Sequence, residues 1–554
     1  MSTSTTEKPT TRYLGGEAGH RSFFGGSSGS RARGIVVGIV VAGGLILTPL
    51  VGWPALAGML VAAMVTIVVT TNTHHGSILE RRRKRSRWQA RKRLGTDRFE
   101  PYDATRWAAL DERATTAPRK ERAQAIRDRA AMRAMPDGAD GMGWLQSGTG
   151  LPGIAWHAPD GEDAYLSVCF AVAGQIRGIE SNTTLVMGGA AWGRFLADRA
   201  LSTSLVGAVQ PMTRVLPPDT ARHEAWARAV HDPTMPADAI ASYAEVIRRS
   251  GQDAMIQRHY VVVSWPITPQ FTEAARKYGE GRDGWRALMA REVETVAAGL
   301  RNARLGGGRR DGVTALTARQ TVALMLHQQN PSHPIDAARR VDPAAPGLRS
   351  HDEYAAHVVE ATDYVTGQEA EWWHRTVAIT ADGLSTGGRT QLWLLDLLLG
   401  TQLDCIRSVS FHMRLVPAMH AKAAARRDLT ADQAAALSNA EKGKMANDEV
   451  STSARAASQR VQDLSHGSPH HGIEWAGFIT LTARSRSELQ LACRRLAETC
   501  SASLGVERLT WLDSFQAAAS GTTWPIGRGL RPTRDPMSAR FYNSLAGAGD
   551  KEAL

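Results

Sequence analysis

The stretch whose residue types and spacing come closest to reactive chemistry is Gly383-Leu384-Ser385-Thr386-Gly387-Gly388-Arg389-Thr390. A phosphate-binding loop needs Gly, four residues, Gly, Lys, then Ser or Thr. Its backbone N–H groups cradle the phosphates and the lysine reaches the terminal ones. Gly383, Gly388 and Thr390 fit that spacing, and Arg389 stands where the lysine belongs. The segment also falls between an expected strand (374–381) and an expected helix from about 389. Three features oppose nucleotide chemistry. A planar guanidinium on a longer stem replaces a compact ammonium. The following "TQLWLLDLLLG" is built for burial. Magnesium needs a carboxylate from a neighbouring strand end, and Asp513 is the one candidate, with no second acid after it. The expectation is therefore an Asp/Gly/Ser/Thr turn: a P-loop decoy, with no cofactor bound, no catalytic residue and no enzymatic activity.

Two other constellations give no stronger chemistry. His466, His470 and His471 in "SHGSPHHG" could bind zinc or nickel as neutral imidazoles. No cysteine or paired carboxylate lies near them, so no metal site is expected. Cys169, Cys405, Cys493 and Cys500 form no CxxC pair and read as reduced thiols.

Charge is distributed very unevenly. The net charge is +12, yet residues 1–93 hold 14 Lys/Arg against Glu7, Glu17 and Glu80, which is +11 and leaves +1 for residues 94–554. That near-neutral remainder argues against an extended nucleic-acid groove. Nine of the basic residues crowd into 81–93: Arg81, Arg82, Arg83, Lys84, Arg85, Arg87, Arg91, Lys92 and Arg93. Just before them, Gly34 to Thr71 carries no charge, with Pro49, Gly52, Trp53 and Pro54 at its middle. This pattern predicts a transmembrane hairpin of two helices, roughly 34–51 and 55–71. Gly34, Gly38 and Ala42, with Gly58 and Ala62, form small-xxx-small series that allow close helix approach. Basic residues at both outer ends place both termini in the cytoplasm of a multi-pass plasma-membrane protein, and the nine-residue cluster is expected to contact anionic lipid.

The positioning elements follow from periodicity. The expected organisation is a disordered basic tail (1–33), the hairpin (34–72), a basic juxtamembrane segment with a helical linker (73–147), a first α/β unit (148–350), a second (351–530) and a disordered tail (531–554). Both units run strand, helix, strand, helical insert, strand, helix, strand. Without the insert this is the split βαβ, ferredoxin-like order. The expected fold class is thus α+β, a transmembrane hairpin followed by two ferredoxin-like units.

Four features together resemble actinobacterial integral membrane proteins of conjugative elements: the hairpin, the basic cluster, "GLPGIAW" (Gly150–Trp156) and "DSFQAAASGTTWPIGRGL" (Asp513–Leu530). The last resembles the Gln…Leu-Pro-Leu-Gly segment closing the N-terminal, non-motor half of TraC-like and VirB-type secretion ATPases, with "WPIG" in place of "LPLG". The resemblance implies a membrane-anchored, non-catalytic docking subunit of a type IV secretion machine. Its partners would be membrane lipids, a separate motor ATPase and other membrane subunits of the machine, within an oligomer. The competing readings are an ESX-type secretion component, a nucleotide-binding protein using Gly383–Thr390, and a DNA-binding protein using residues 81–93.

Overall fold

The computed structural model describes residues 12–14, 29–70 and 77–529, apart from 160–162, 176–179, 231, 233, 252–253, 386, 391, 400–402, 442–447 and 465–469. The two tails expected at 1–33 and 531–554 lie almost wholly outside the described residues.

After a short strand, β1 (Arg12–Leu14), the uncharged run forms α1 (Gly29–Val51) and α2 (Trp53–Thr70). Gly52 joins them with φ 77°, a left-handed backbone that glycine adopts at no steric cost. Among the described residues no helix is long and apolar enough to cross a membrane. This overturns the expected two spans and the multi-pass plasma-membrane placement. The run divides at Gly52, which leaves 18 uncharged residues of α1 after Arg33 and 18 residues in α2, each at the short end of the length that a span needs. The close approach of the two helices also differs from expectation. A Cβ on Gly44 would collide with the Met59 side chain, whereas Gly38 and Gly58 face open space.

A basic helix, α3 (Ile78–Leu94), follows. Ser77 caps its start by accepting from the Glu80 N–H, and Gly95 ends it in the left-handed conformation. Then come β2 (Arg98–Pro101), the helical hairpin α4 (Ala104–Thr116) and α5 (Arg119–Ala131), and β3 (Met132–Arg133). Strands β4 (Met142–Gln146), β5 (Ile154–His157) and β6 (Tyr165–Val172) lead to α6 (Asn182–Arg199) and β7 (Ala208–Leu216). Helices α7 (Ala221–Val230) and α8 (Ala237–Gly251) form an insert before β8 (Ile256–Pro266). Helices α9 (Pro269–Arg276) and α10 (Gly281–Asn302), β9 (Val313–Ala315) and α11 (Ala318–Gln329) complete this half.

The second half comprises β10 (Ser350–Glu353), β11 (Ala356–Thr362), β12 (Glu369–Ile379), β13 (Gly387–Arg389), the short α12 (Leu395–Leu399) and β14 (Ile406–Val416). Its helical insert is α13 (Ala418–Glu441) and α14 (Asp448–Asp463). Strand β15 (Gly472–Ala483), α15 (Arg486–Ala502), β16 (Thr510–Trp511) and α16 (Gln516–Ser520) close the chain.

A membrane hairpin followed by two small ferredoxin-like units is therefore not what the chain builds. One 14-stranded sheet runs β3-β2-β10-β11-β12-β15-β14-β7-β8-β6-β5-β4, with β16 beside β12 and β9 beside β6. The two halves fuse where β7 and β14 pair antiparallel, from Arg407 opposite Val215 to Arg414 opposite Ala208. Two separate units would each leave a long edge strand unpaired, and the fusion removes both edges.

The faces of this sheet differ. One packs Leu166, Val168, Phe170, Val263 and Trp265 against α6, α9 and α10, and Val377, Ile379, Ile479 and Leu481 against α15. The opposite face is covered by α11 and by the chain from Asp513 to Gly529. Near the β7–β14 seam it carries buried polar side chains: Gln210, Arg214, Ser408, Ser410, His412, Thr480 and Thr482.

Candidate functional site

The Gly383–Thr390 segment does not make a strand-to-helix phosphate loop. Ala381–Gly383 is a single 3-10 turn, Gly387–Arg389 is strand β13 paired with β1, and the next helix starts only at Leu395. Its backbone donors are engaged: Gly383 N–H donates to the Thr380 carbonyl and Ser385 N–H to that of Gly505. Arg389 turns its guanidinium inward, donating to the carbonyls of Ser385 (2.9 Å), Gly505 (3.2 Å) and Leu504 (3.3 Å). It staples the loop before β16 to the turn after β12. Asp513 is held by Arg375 at 3.0 and 3.1 Å from Nη2.

The nine basic residues of 81–93 divide between two faces of α3. Lys84, Arg87 and Arg91 recur every three or four residues and meet the folded body. Lys84 donates to the Trp511 carbonyl at 3.1 Å, and the Arg87 guanidinium lies 5.4 Å from the Phe515 ring centre. Arg91 is the anchor. It donates to Asp352 (2.6 Å), the Ser514 carbonyl (2.8 Å), Asp137 (2.9 Å) and the Thr96 carbonyl (3.0 Å). Asp352 is fully buried and also accepts from the Ala517 N–H and meets His357 Nδ1. Burial pushes the Asp137 carboxyl up, against the pull of Arg133 and Arg91. Arg81, Arg82, Arg85, Lys92 and Arg93 are exposed, and Arg83 is half-buried.

His466 lies outside the described residues. His470 is exposed, and burial, with His470 adding to it, lowers His471 to about 4. Among the described residues no group of three or more His, Cys, Asp or Glu could hold a metal ion. The four cysteines are free, and burial raises the thiols of Cys493 to about 11 and Cys500 to about 12.

The largest polar constellation is one that motif spacing does not signal. On the seam face the strap from Asp513 to Gly529 is bound through side chains. Gln516 Oε1 accepts from the Thr376 N–H at 2.7 Å. Gln210 Nε2 donates to the carbonyls of Thr522 and Trp524, and its Oε1 accepts from the Gly527 N–H at 2.9 Å. His412 Nε2 lies 2.6 Å from the Thr522 carbonyl. Gly527 adopts φ 73°, and a Cβ there would sit 2.3 Å from Ser264 Oγ, so only glycine fits this crossing. The strap ends with Arg528 donating to Asp140 at 3.0 Å.

Burial sets the protonation of this region. It lowers His374 to about 3, with His357 adding to the effect, and His412 to about 4. It also brings the Arg214 guanidinium down to about 10, still charged at neutral pH. Neutral imidazoles and hydroxyls can order a strap, and Ser410 Oγ and His412 Nε2, 3.3 Å apart, lie buried beneath it. The one alternation that could have pointed to the site is Ser408-x-Ser410-x-His412 with Thr480-x-Thr482. No protein-family model and no curated protein matches the chain.

Proposed function

We propose that the chain is a non-catalytic docking component of a type IV secretion machine that binds a separate motor ATPase. The observation that carries this reading is the helical pair inserted between β7 and β8. Helix α7 buries no residue, and Trp226, Val230, Tyr243 and Val246 across α7 and α8 are between 45% and 60% exposed. Apolar and aromatic side chains grouped on one exposed insert are the chemistry of a protein-docking surface. The second insert, α13 and α14, leaves from the opposite end of the strand pair, because β7 and β14 run antiparallel. Such a body can engage partners at both ends. The inward-turned Arg389 and the arginine-paired Asp513 fit a framework role better than a catalytic one.

Co-purification of the full chain with its motor ATPase tests this. Trp226→Asp combined with Val246→Asp is expected to abolish capture while leaving the melting temperature of the chain unchanged. The chain alone is expected to show no thermal shift with Mg-ATP. A saturable shift that disappears in Arg389→Ala would refute the docking reading in favour of a nucleotide-binding one.

A further inference from the structure

At the seam between the two halves of the sheet lies a small, half-enclosed chamber, with room for about one water-sized particle. Arg214, Gln328, His357, His374, Ser408 and Thr482 line it, and no carboxylate does among the described residues. Arg214 is 1% exposed. Its Nη1 donates to Ser408 Oγ at 3.0 Å and its Nη2 to the His327 carbonyl at 3.0 Å, while Nε has no partner. The Ser408 hydroxyl accepts from Arg214 and keeps its own proton to donate. The C-terminal turn of α11, through the His327 carbonyl, contributes about half a negative charge. The guanidinium is thus only partly compensated, in a place where an unbalanced ion is costly. The contrast with Arg407, one residue along the same seam, is instructive. Arg407 is equally buried but donates to four carbonyls, those of Leu397, Leu398, Leu403 and Cys405.

We propose that the chamber is a binding site for one monovalent inorganic anion of chloride size, held by Arg214 and the Ser408 hydroxyl, that ties β7, β14 and α11 together beneath the C-terminal strap. A water in the same place would supply the donor that Gln328 Oε1 lacks, but would leave the charge on Arg214 half-balanced. The two occupants therefore predict different salt responses.

The test compares melting temperatures of the full chain in sodium chloride and sodium gluconate at equal ionic strength, beside diffraction from crystals soaked in sodium bromide. A saturable rise specific to chloride is expected, absent in Arg214→Gln, with a bromide anomalous peak beside Arg214. Should Arg214→Gln fail to fold, Ser408→Ala supplies the reading, with the chloride concentration for half-maximal effect raised about tenfold. Identical melting in both salts, or a chamber holding water and no bromide, would overturn the proposal.

Discussion

Arg91 offers the sharpest test of how the basic helix is held. Replacing it with alanine removes its two ion pairs with the body, to Asp352 at 2.6 Å and to Asp137 at 2.9 Å, along with its bond to the Ser514 carbonyl. Asp352 is then left fully buried with the Ala517 N–H and His357 as its remaining partners. Removing one member of a buried ion pair costs about 3–5 kcal/mol. Because two partners of Asp352 survive, the lower end, about 3 kcal/mol, is expected. Arg85 lies on the exposed face of the same helix and carries the same charge. Its replacement by alanine should change stability by less than about 0.5 kcal/mol. Equilibrium urea denaturation of the full-length variants, read as the midpoint at constant slope, measures both. Asp352→Asn and the double variant complete a cycle, with a coupling above about 1 kcal/mol expected for Arg91 and Asp352. Equal costs for Arg91→Ala and Arg85→Ala would refute the division of α3 into an anchoring and an exposed face. The same contacts imply that a chain starting at residue 95 loses an integral part of the fold.

Two further predictions concern burial. His374 and His412, at about 3 and about 4, are depressed below the ordinary histidine value near 6.5. Near pH 5 the unfolded chain binds close to two protons that the folded chain does not, so the pair makes stability fall as pH falls, by up to about 2.7 kcal/mol per unit. Denaturation midpoints around pH 5 should show stability falling toward acid, with His471 adding to the pair, and His412→Gln should reduce the slope by up to about 1.4 kcal/mol per unit; a flat profile would contradict buried neutral imidazoles. Leu397 is fully buried in the core of the second half, whereas Leu399 on the same helix is 55% exposed. Leu397→Asp should therefore cost several kcal/mol and Leu399→Asp less than about 1, measured by thermal melting; similar losses would show that α12 is not seated as described.

Periodicity made much of the secondary structure legible, because strand and helix spacing are local properties. The expected strand at 374–381 overlaps the end of β12, and the helical insert expected in each unit is present as α7–α8 and α13–α14. What periodicity could not supply was edge pairing. Nothing in "SLVGAVQPMTRVL" or "CIRSVSFHMRLVP" says that these two strands lie side by side, 200 residues apart. At Gly383–Thr390 the sequence suggests a turn leading into a helix from about 389; the next helix instead starts at Leu395, and Arg389 ends strand β13. Its role as a carbonyl clamp depends on Leu504 and Gly505, which no local motif can name.

The polar face of the seam shows why the constellation that matters most was missed. Alternating Ser408, Ser410 and His412 against Val409, Phe411 and Met413 is the pattern of a strand with one face in water. Physically, that face can also be buried if something brings donors and acceptors to match. Here the strap does so with main-chain carbonyls at Thr522, Thr523 and Trp524, which accept from Gln210 and Gln328 and lie against His412. Each buried polar group left unmatched would cost about 1–3 kcal/mol, so strap and seam stabilise one another or neither persists. A period-2 polar stripe is therefore ambiguous until the chain that covers it is known. In this protein the covering chain is the last described segment, whose residues Ala517 to Thr523 are small or polar and carry no strand or helix periodicity. The buried match between that segment and β7, β14 and β15 ties the strap across the seam where the two half-sheets pair.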